Sequence, residues 1–138
     1  MLKNPGQAKY WQERLKDMVT EIVKKYGNFA DALVLGFSIE SYTHSSSGKG
    51  NIEVLIHCMN GENDFEWEQV KLVFEEVMCF RFIENRNTSS VVINAAILNH
   101  ENDEITFDFF PLMFNHEFVE NPASDFVIKC KRIKYSVV

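Results

Sequence analysis

Hydrophobic positions recur along this chain with two different periods. Near its start Ala8, Trp11, Leu15, Met18, Ile22 and Tyr26 follow at three- and four-residue steps, while Lys9, Glu13, Lys16, Asp17, Lys24 and Lys25 fall largely elsewhere. That spacing gives a helix with one apolar stripe. Both ends are marked. Asn4 can cap it, Pro5 takes the first helical position, Gln7 stands where a capping-box partner belongs, and Gly27 stops it. The stripe has to lie on something, and beyond Gly27 the chain turns to period two, so that something is a sheet.

From Ala32 to Tyr42, Leu33, Leu35, Phe37 and Ile39 alternate with Val34, Gly36, Ser38 and Glu40, which predicts a strand with one buried face. The polar tip His44 to Gly50 turns it back. Ile52, Val54, Ile56 and Cys58 continue on a second strand, which ends at Asn60-Gly61, the dipeptide most favoured where a hairpin turn needs positive φ. Val91 to Leu98 and Glu104 to Phe110, on either side of the polar tip Asn99 to Asp103, predict a second hairpin. Asp125 to Val138, β-branched and basic, predicts a closing strand.

The stretch after Gly61 reads two ways. Trp67, Val70, Phe74, Val77 and Met78 fit a helical stripe as well as Val70, Leu72, Phe74, Phe80 and Phe82 fit strands. The turn before it, its β-branched and aromatic content and the lack of caps favour two strands. Leu112 to Ser124, with Pro122 inside it, has no clean period and reads as a loop or edge crossing.

Composition narrows the class. At 138 residues with 46% hydrophobic content the chain is one ordinary globular domain, and its 12 Phe predict a core filled with rings. No apolar run reaches the length of a membrane span and no signal-peptide core is present, which points to the cytoplasm. Cys58, Cys79 and Cys130 are odd in number, far apart and flanked by apolar residues, as packed reduced thiols are. The net charge of −6 concentrates in residues 43 to 110, where four bases face twelve acids. Such a field excludes nucleic acid and anionic membrane as partners and favours a basic protein.

No motif of catalysis or metal binding emerges, and no cofactor is implied. His57 and Cys58 are adjacent, so a strand sends them to opposite faces. The turn His100 to Glu104 lacks the spacing of a calcium loop. Ser45 to Gly50 lacks the glycine and the following Ser or Thr of a phosphate cradle. Asp108, within Thr106-Phe107-Asp108-Phe109-Phe110, lies on the face opposite Phe107 and Phe109. Bonding the backbone or pairing with Lys129, Lys131, Arg132 or Lys134 is its favoured use. The competing role is a polar anchor for a ligand in a Phe-lined pocket, or an acid or base in an enzyme. The four bases of the last strand read as guards of a sheet edge.

By elimination, the acidic run carries the function. Glu62, Asp64, Glu66, Glu68, Glu75 and Glu76 are opposed there by Lys71 alone. On a strand, Glu66 and Glu68 share a face opposite Phe65 and Trp67, rings inward and carboxylates outward. The alternative is a merely solvated face, since charge runs usually mean no more. An exposed sheet edge or apolar patch that joins two copies is a third possibility.

The N-terminal helix, Asp31-Ala32 opening a strand, the Asn60-Gly61 turn, Trp67 followed by Val70-Lys71-Leu72-Val73-Phe74 and Val77, and the strand Ile105-Thr106-Phe107-Asp108-Phe109 together resemble small bacterial proteins, some of them classed among the immunity proteins of polymorphic toxin systems. The resemblance implies an α+β protein without catalytic activity that binds and blocks a toxin. The sequence thus predicts one α+β domain, residues 1 to 138, in which the N-terminal helix covers a mainly antiparallel, twisted sheet of about six or seven strands. It predicts a non-catalytic, protein-binding function, with Glu62, Asp64, Glu66, Glu68, Glu75 and Glu76 as the binding residues.

Overall fold

A computed structural model describes residues 5–40, 50–84 and 92–138. One helix, α1 (Pro5–Tyr26), precedes nine strands: β1 (Ala32–Glu40), β2 (Asn51–Asn60), β3 (Glu66–Phe82), β4 (Val92–Ile93), β5 (Ile97–Glu101), β6 (Glu104–Asp108), β7 (Leu112–Phe114), β8 (Glu117–Val119) and β9 (Phe126–Val137). Seven form one sheet in the order β4-β1-β2-β3-β9-β6-β5, every neighbouring pair antiparallel, and β7 and β8 stand apart as a hairpin. The α+β architecture is as the periodicity predicts. The Asn4 cap and the tip at 44–49 lie outside the described residues.

The helix ends where Gly27 adopts φ 58 and donates its N–H to the Val23 carbonyl at 2.7 Å. Lys24 and Lys25 complement the dipole there. Phe29 follows at φ 55 yet is only 2% exposed. A left-handed conformation is unfavourable for a bulky side chain, and here it swings the ring under the helix. Ile22 and Tyr26 of the stripe are buried, with Met18 packed against the core. They lie on the face of the sheet that carries Ile52, Val54, Ile56 and Cys58 of β2, all 2% exposed or less, and Val70, Leu72 and Phe74 of β3, all 0%.

The sheet is strongly curled. Phe37 of β1 and Phe126 of β9 lie three strand spacings apart, about 14 Å in a flat sheet, yet their rings are 5.9 Å apart. An unbroken chain of ring contacts runs through the interior from Tyr26 by Phe29, Phe107, Phe109 and Phe126 to Phe82 and Phe37. The Phe-rich core predicted from composition is this chain.

Several local expectations need correction. Strict alternation in β1 fails, because a bulge between Val34 and Gly36 shifts the register. Val34 faces inward with Ile56 while Leu33 faces outward with His57. The stretch after Gly61 is one 17-residue strand, turned at Glu76 (φ 53) and at a register shift between Val77 and Cys79, and not two strands. The Asn60-Gly61 turn is a longer loop whose positive φ values fall on Asp64 and Phe65. Asn60 organises it. Its side-chain oxygen accepts the Glu62 N–H at 2.9 Å, and its carbonyl accepts those of Asn63 and Phe65. A Cβ at Gly61 would make only ordinary van der Waals contacts, with Phe65 Cε1 at 3.4 Å and the Lys25 carbonyl at 3.5 Å, so space does not demand glycine there.

β9 is not an edge strand. It sits between β3 and β6, and its bases pair with acids on those neighbours: Lys129 with Glu104, Arg132 with Glu76, Lys134 with Glu75. The segment read as a loop or edge crossing contains the β7–β8 hairpin, turned by Asn115 and His116, both at positive φ. Of the cysteines, Cys58 and Cys130 are buried thiols as expected, whereas Cys79 is exposed.

Candidate functional site

The six acids of the predicted binding surface separate into three groups. Glu75 and Glu76, midway along β3, are engaged by β9, with Arg132 Nη1 2.7 Å from Glu76 Oε2. Glu68 pairs with Cys58 on the helix-covered face. There its Oε1 accepts the Tyr26 hydroxyl at 2.7 Å and Asn60 Nδ2 at 3.0 Å. Burial, and then the Glu68 bond, raise the Tyr26 pKa well above the ordinary tyrosine range. Glu68 is thus a fastener between helix and sheet.

Glu62, Asp64 and Glu66 remain at the β2–β3 tip. All three are exposed, and among the described residues no lysine or arginine nitrogen lies within 4.0 Å of them. Lys25 feels Glu62 from farther away, after its closer partner Tyr135 and Glu21, and is held above its usual value by them.

Faces alternate as predicted, but with the opposite sense: Glu68 is inward and Trp67 outward. The reason is the register of β3, which sets Glu68 against the inward Cys58 and Trp67 against Met59 on the open face. Trp67 is 46% exposed and stacks on His57, ring centroids 5.1 Å apart. Phe65 belongs to the turn, not the strand, and stands 67% exposed at φ 57. Beside it a cleft lined by Tyr26, Asn28, Phe29, Ala30, Met59 and Phe65 opens at the C-terminus of α1. The tip therefore combines three exposed carboxylates without a salt bridge, of which Glu66 accepts from Asn63 Nδ2 at 3.4 Å, two exposed rings, and a cleft at the C-terminus of α1 that Lys25 also lines.

Asp108 is placed elsewhere. It is 0% exposed, its Oδ1 accepts the Phe110 N–H at 3.0 Å and its Oδ2 accepts that of Asn121 at 2.7 Å. Asn121 Nδ2 donates to the Phe110 carbonyl at 2.9 Å. Bonding to backbone is thus its use, and the clefts described in this section do not reach it. These bonds clamp the two ends of the β7–β8 excursion, where Leu112, Met113, Phe114, Phe118 and Val119 are 36% to 65% exposed. Sequence reasoning passed over this hairpin. Its signal was Met113-Phe114-Asn115-His116-Glu117-Phe118, an Asn-led turn between apolar pairs.

A polar cleft lies at the β5–β6 hairpin, lined by Asn99, Glu101, Asn102, Glu104, Thr106, Glu120 and Lys129. Among the described residues no group of three His, Cys, Asp or Glu side chains could hold a metal ion, and no helix is long and apolar enough to cross a membrane. The Cys58 and Cys130 thiols are each pushed up to about 12, chiefly by burial. They are thus poor nucleophiles at neutral pH. Set against known proteins, the chain matches no family model, no curated protein and no solved structure.

Proposed function

We propose that the protein is a non-catalytic binding domain whose β2–β3 tip engages a cationic protein. One observation carries this reading: Phe65 is held at φ 57 and 67% exposed, beside the exposed Trp67 and amid Glu62, Asp64 and Glu66. Leaving the rings partly in water forgoes about 1–2 kcal/mol each, and the left-handed Phe65 backbone costs about 1 kcal/mol more. A turn needed only for solubility would carry Gly or Asn there instead. Rings flanked by carboxylates suit an arginine or lysine side chain, whose cation stacks on an aromatic face while its aliphatic stem lies along Met59 and Phe65.

The resemblance to immunity proteins narrows the partner to a basic toxin. Affinity capture from the native cell tests the reading, comparing the wild type with the Glu62→Lys, Asp64→Lys, Glu66→Lys triple variant. A basic partner retained by the wild type should dissociate in high salt, where charges are screened within about 3 Å. Reversing the three charges should weaken it about ten- to a hundredfold, mainly in association rate. Retention of every partner by the triple variant refutes the proposal.

A further inference from the structure

The β7–β8 hairpin presents apolar side chains on both of its faces. Register places Leu112 opposite Val119, Met113 opposite Phe118 and Phe114 opposite Glu117. Alternation then puts Leu112, Phe114 and Val119 on one face and Met113 with Phe118 on the other. Exposures are 48%, 59% and 65% along β7 and 37% and 36% for Phe118 and Val119. The ribbon is mounted rigidly, because the fully buried Asp108 holds both of its ends. Rigid mounting of exposed apolar groups lowers the ordering cost of an association.

We propose that the occupant of this surface is a second copy of the same chain, joined β7 to β7 across a two-fold axis at Met113. The backbone geometry is right for it. In a hairpin closed by a two-residue turn, the residues flanking the turn exchange both of their hydrogen bonds. Phe114 and Leu112 therefore bond inward to β8, and the Met113 N–H and C=O point outward. Among the described residues no strand pairs with that edge of β7. A two-fold at Met113 lets both copies exchange these two bonds and sets Leu112 of one opposite Phe114 of the other, an isologous contact.

Charge agrees. β7 carries no ionisable residue, while Glu117 and Glu120 lie on the β8 side, so the seam brings no carboxylates together. Pro111 precedes the strand, but β7 itself has no lysine, proline or bulge to guard its edge. Only the β7 side chains Leu112, Met113 and Phe114 border this seam, so the two copies bury about 300 Å² each and about 600 Å² in all, short of the roughly 1,000 Å² of a stable interface. The dimer is correspondingly weak.

Sedimentation equilibrium of the full chain over about 1 to 500 µM tests this. The average mass should climb from the 16.1 kDa of one chain towards twice that value. Met113→Asp, which places two carboxylates on the axis, should hold it at 16.1 kDa while leaving the circular dichroism unchanged, since the residue is exposed. In a Cys79→Ser background, Met113→Cys should form an intermolecular disulfide on mild oxidation, because paired Cα atoms there are about 5.5 Å apart. A wild type that stays monomeric, or a dimer that survives Met113→Asp, overturns the proposal. So does a monomer that instead sediments with phosphatidylcholine vesicles, which would assign the hairpin to a lipid surface.

Discussion

Replacing Asp108 by Asn changes one atom at a point where two backbone segments meet. The carboxylate accepts from Phe110 N at 3.0 Å and Asn121 N at 2.7 Å, and the residue is 0% exposed. An amide can accept one of these bonds through its oxygen, but its NH2 then faces the other N–H, donor against donor. The lost charge-assisted bond and the orphaned buried N–H cost about 2–4 kcal/mol together. For a domain of this size that lowers Tm by roughly 6–16 °C. Urea denaturation gives the magnitude, and amide hydrogen exchange gives the location, with accelerated exchange at Phe110 and Asn121. A change below about 0.5 kcal/mol, with both amides still protected, would refute the view that Asp108 clamps the hairpin.

Further outcomes follow from the core and the thiols. Phe109→Ala, which removes a ring stacked 3.6 Å from Phe126, should cost about 3–5 kcal/mol in urea denaturation. Tyr26→Phe should cost about 1–2 kcal/mol by removing the hydroxyl from Glu68, and Glu68→Gln should add little in the Tyr26→Phe background if the two act as a pair. A thiol reagent should titrate Cys79 alone in the native protein and all 3 cysteines after denaturation. Cys58 and Cys130 have folded values of about 12 against an ordinary 9.0. Because the folded state holds these protons more tightly, the stability they contribute is complete below pH 9.0 and is lost as pH rises from there towards 12. The urea midpoint should therefore fall as pH rises from 9.0 towards about 12, and the Cys58→Ala, Cys130→Ala double variant should flatten that fall.

Period alone sufficed for the large elements. Met18, Ile22 and Tyr26, at the C-terminal end of the stripe, pack against the sheet, and Ile52, Val54, Ile56 and Cys58 are the buried face of β2. Period failed where the backbone departs from it. Nothing in Val34-Leu35-Gly36 fixes which residue bulges, and the shift reverses the face of every residue on one side of it. The same limit governs the acidic run. Alternation separates Glu66 and Glu68 from Trp67 correctly, but which set faces the core depends on Cys58 and Tyr26, which are distant in sequence and meet Glu68 only through sheet pairing and helix docking. The position of β9 between β3 and β6 is likewise a matter of topology, which four bases on one strand do not encode. For Asp108 the sequence left two structural uses open, bonding the backbone or pairing with a base of the last strand, and the first is the one found. Its two partners, one of them thirteen residues away, were not legible.

The central claim, that the β2–β3 tip is a cation-binding surface, is tested most directly by adding an octa-arginine peptide while recording amide correlation spectra. The account predicts shifts concentrated at residues 61 to 67 and at the Trp67 indole, abolished by salt and by the Glu62→Lys, Asp64→Lys, Glu66→Lys variant. Shifts centred instead on Glu101, Glu104 and Glu120, with the Trp67 indole unmoved, would contradict it.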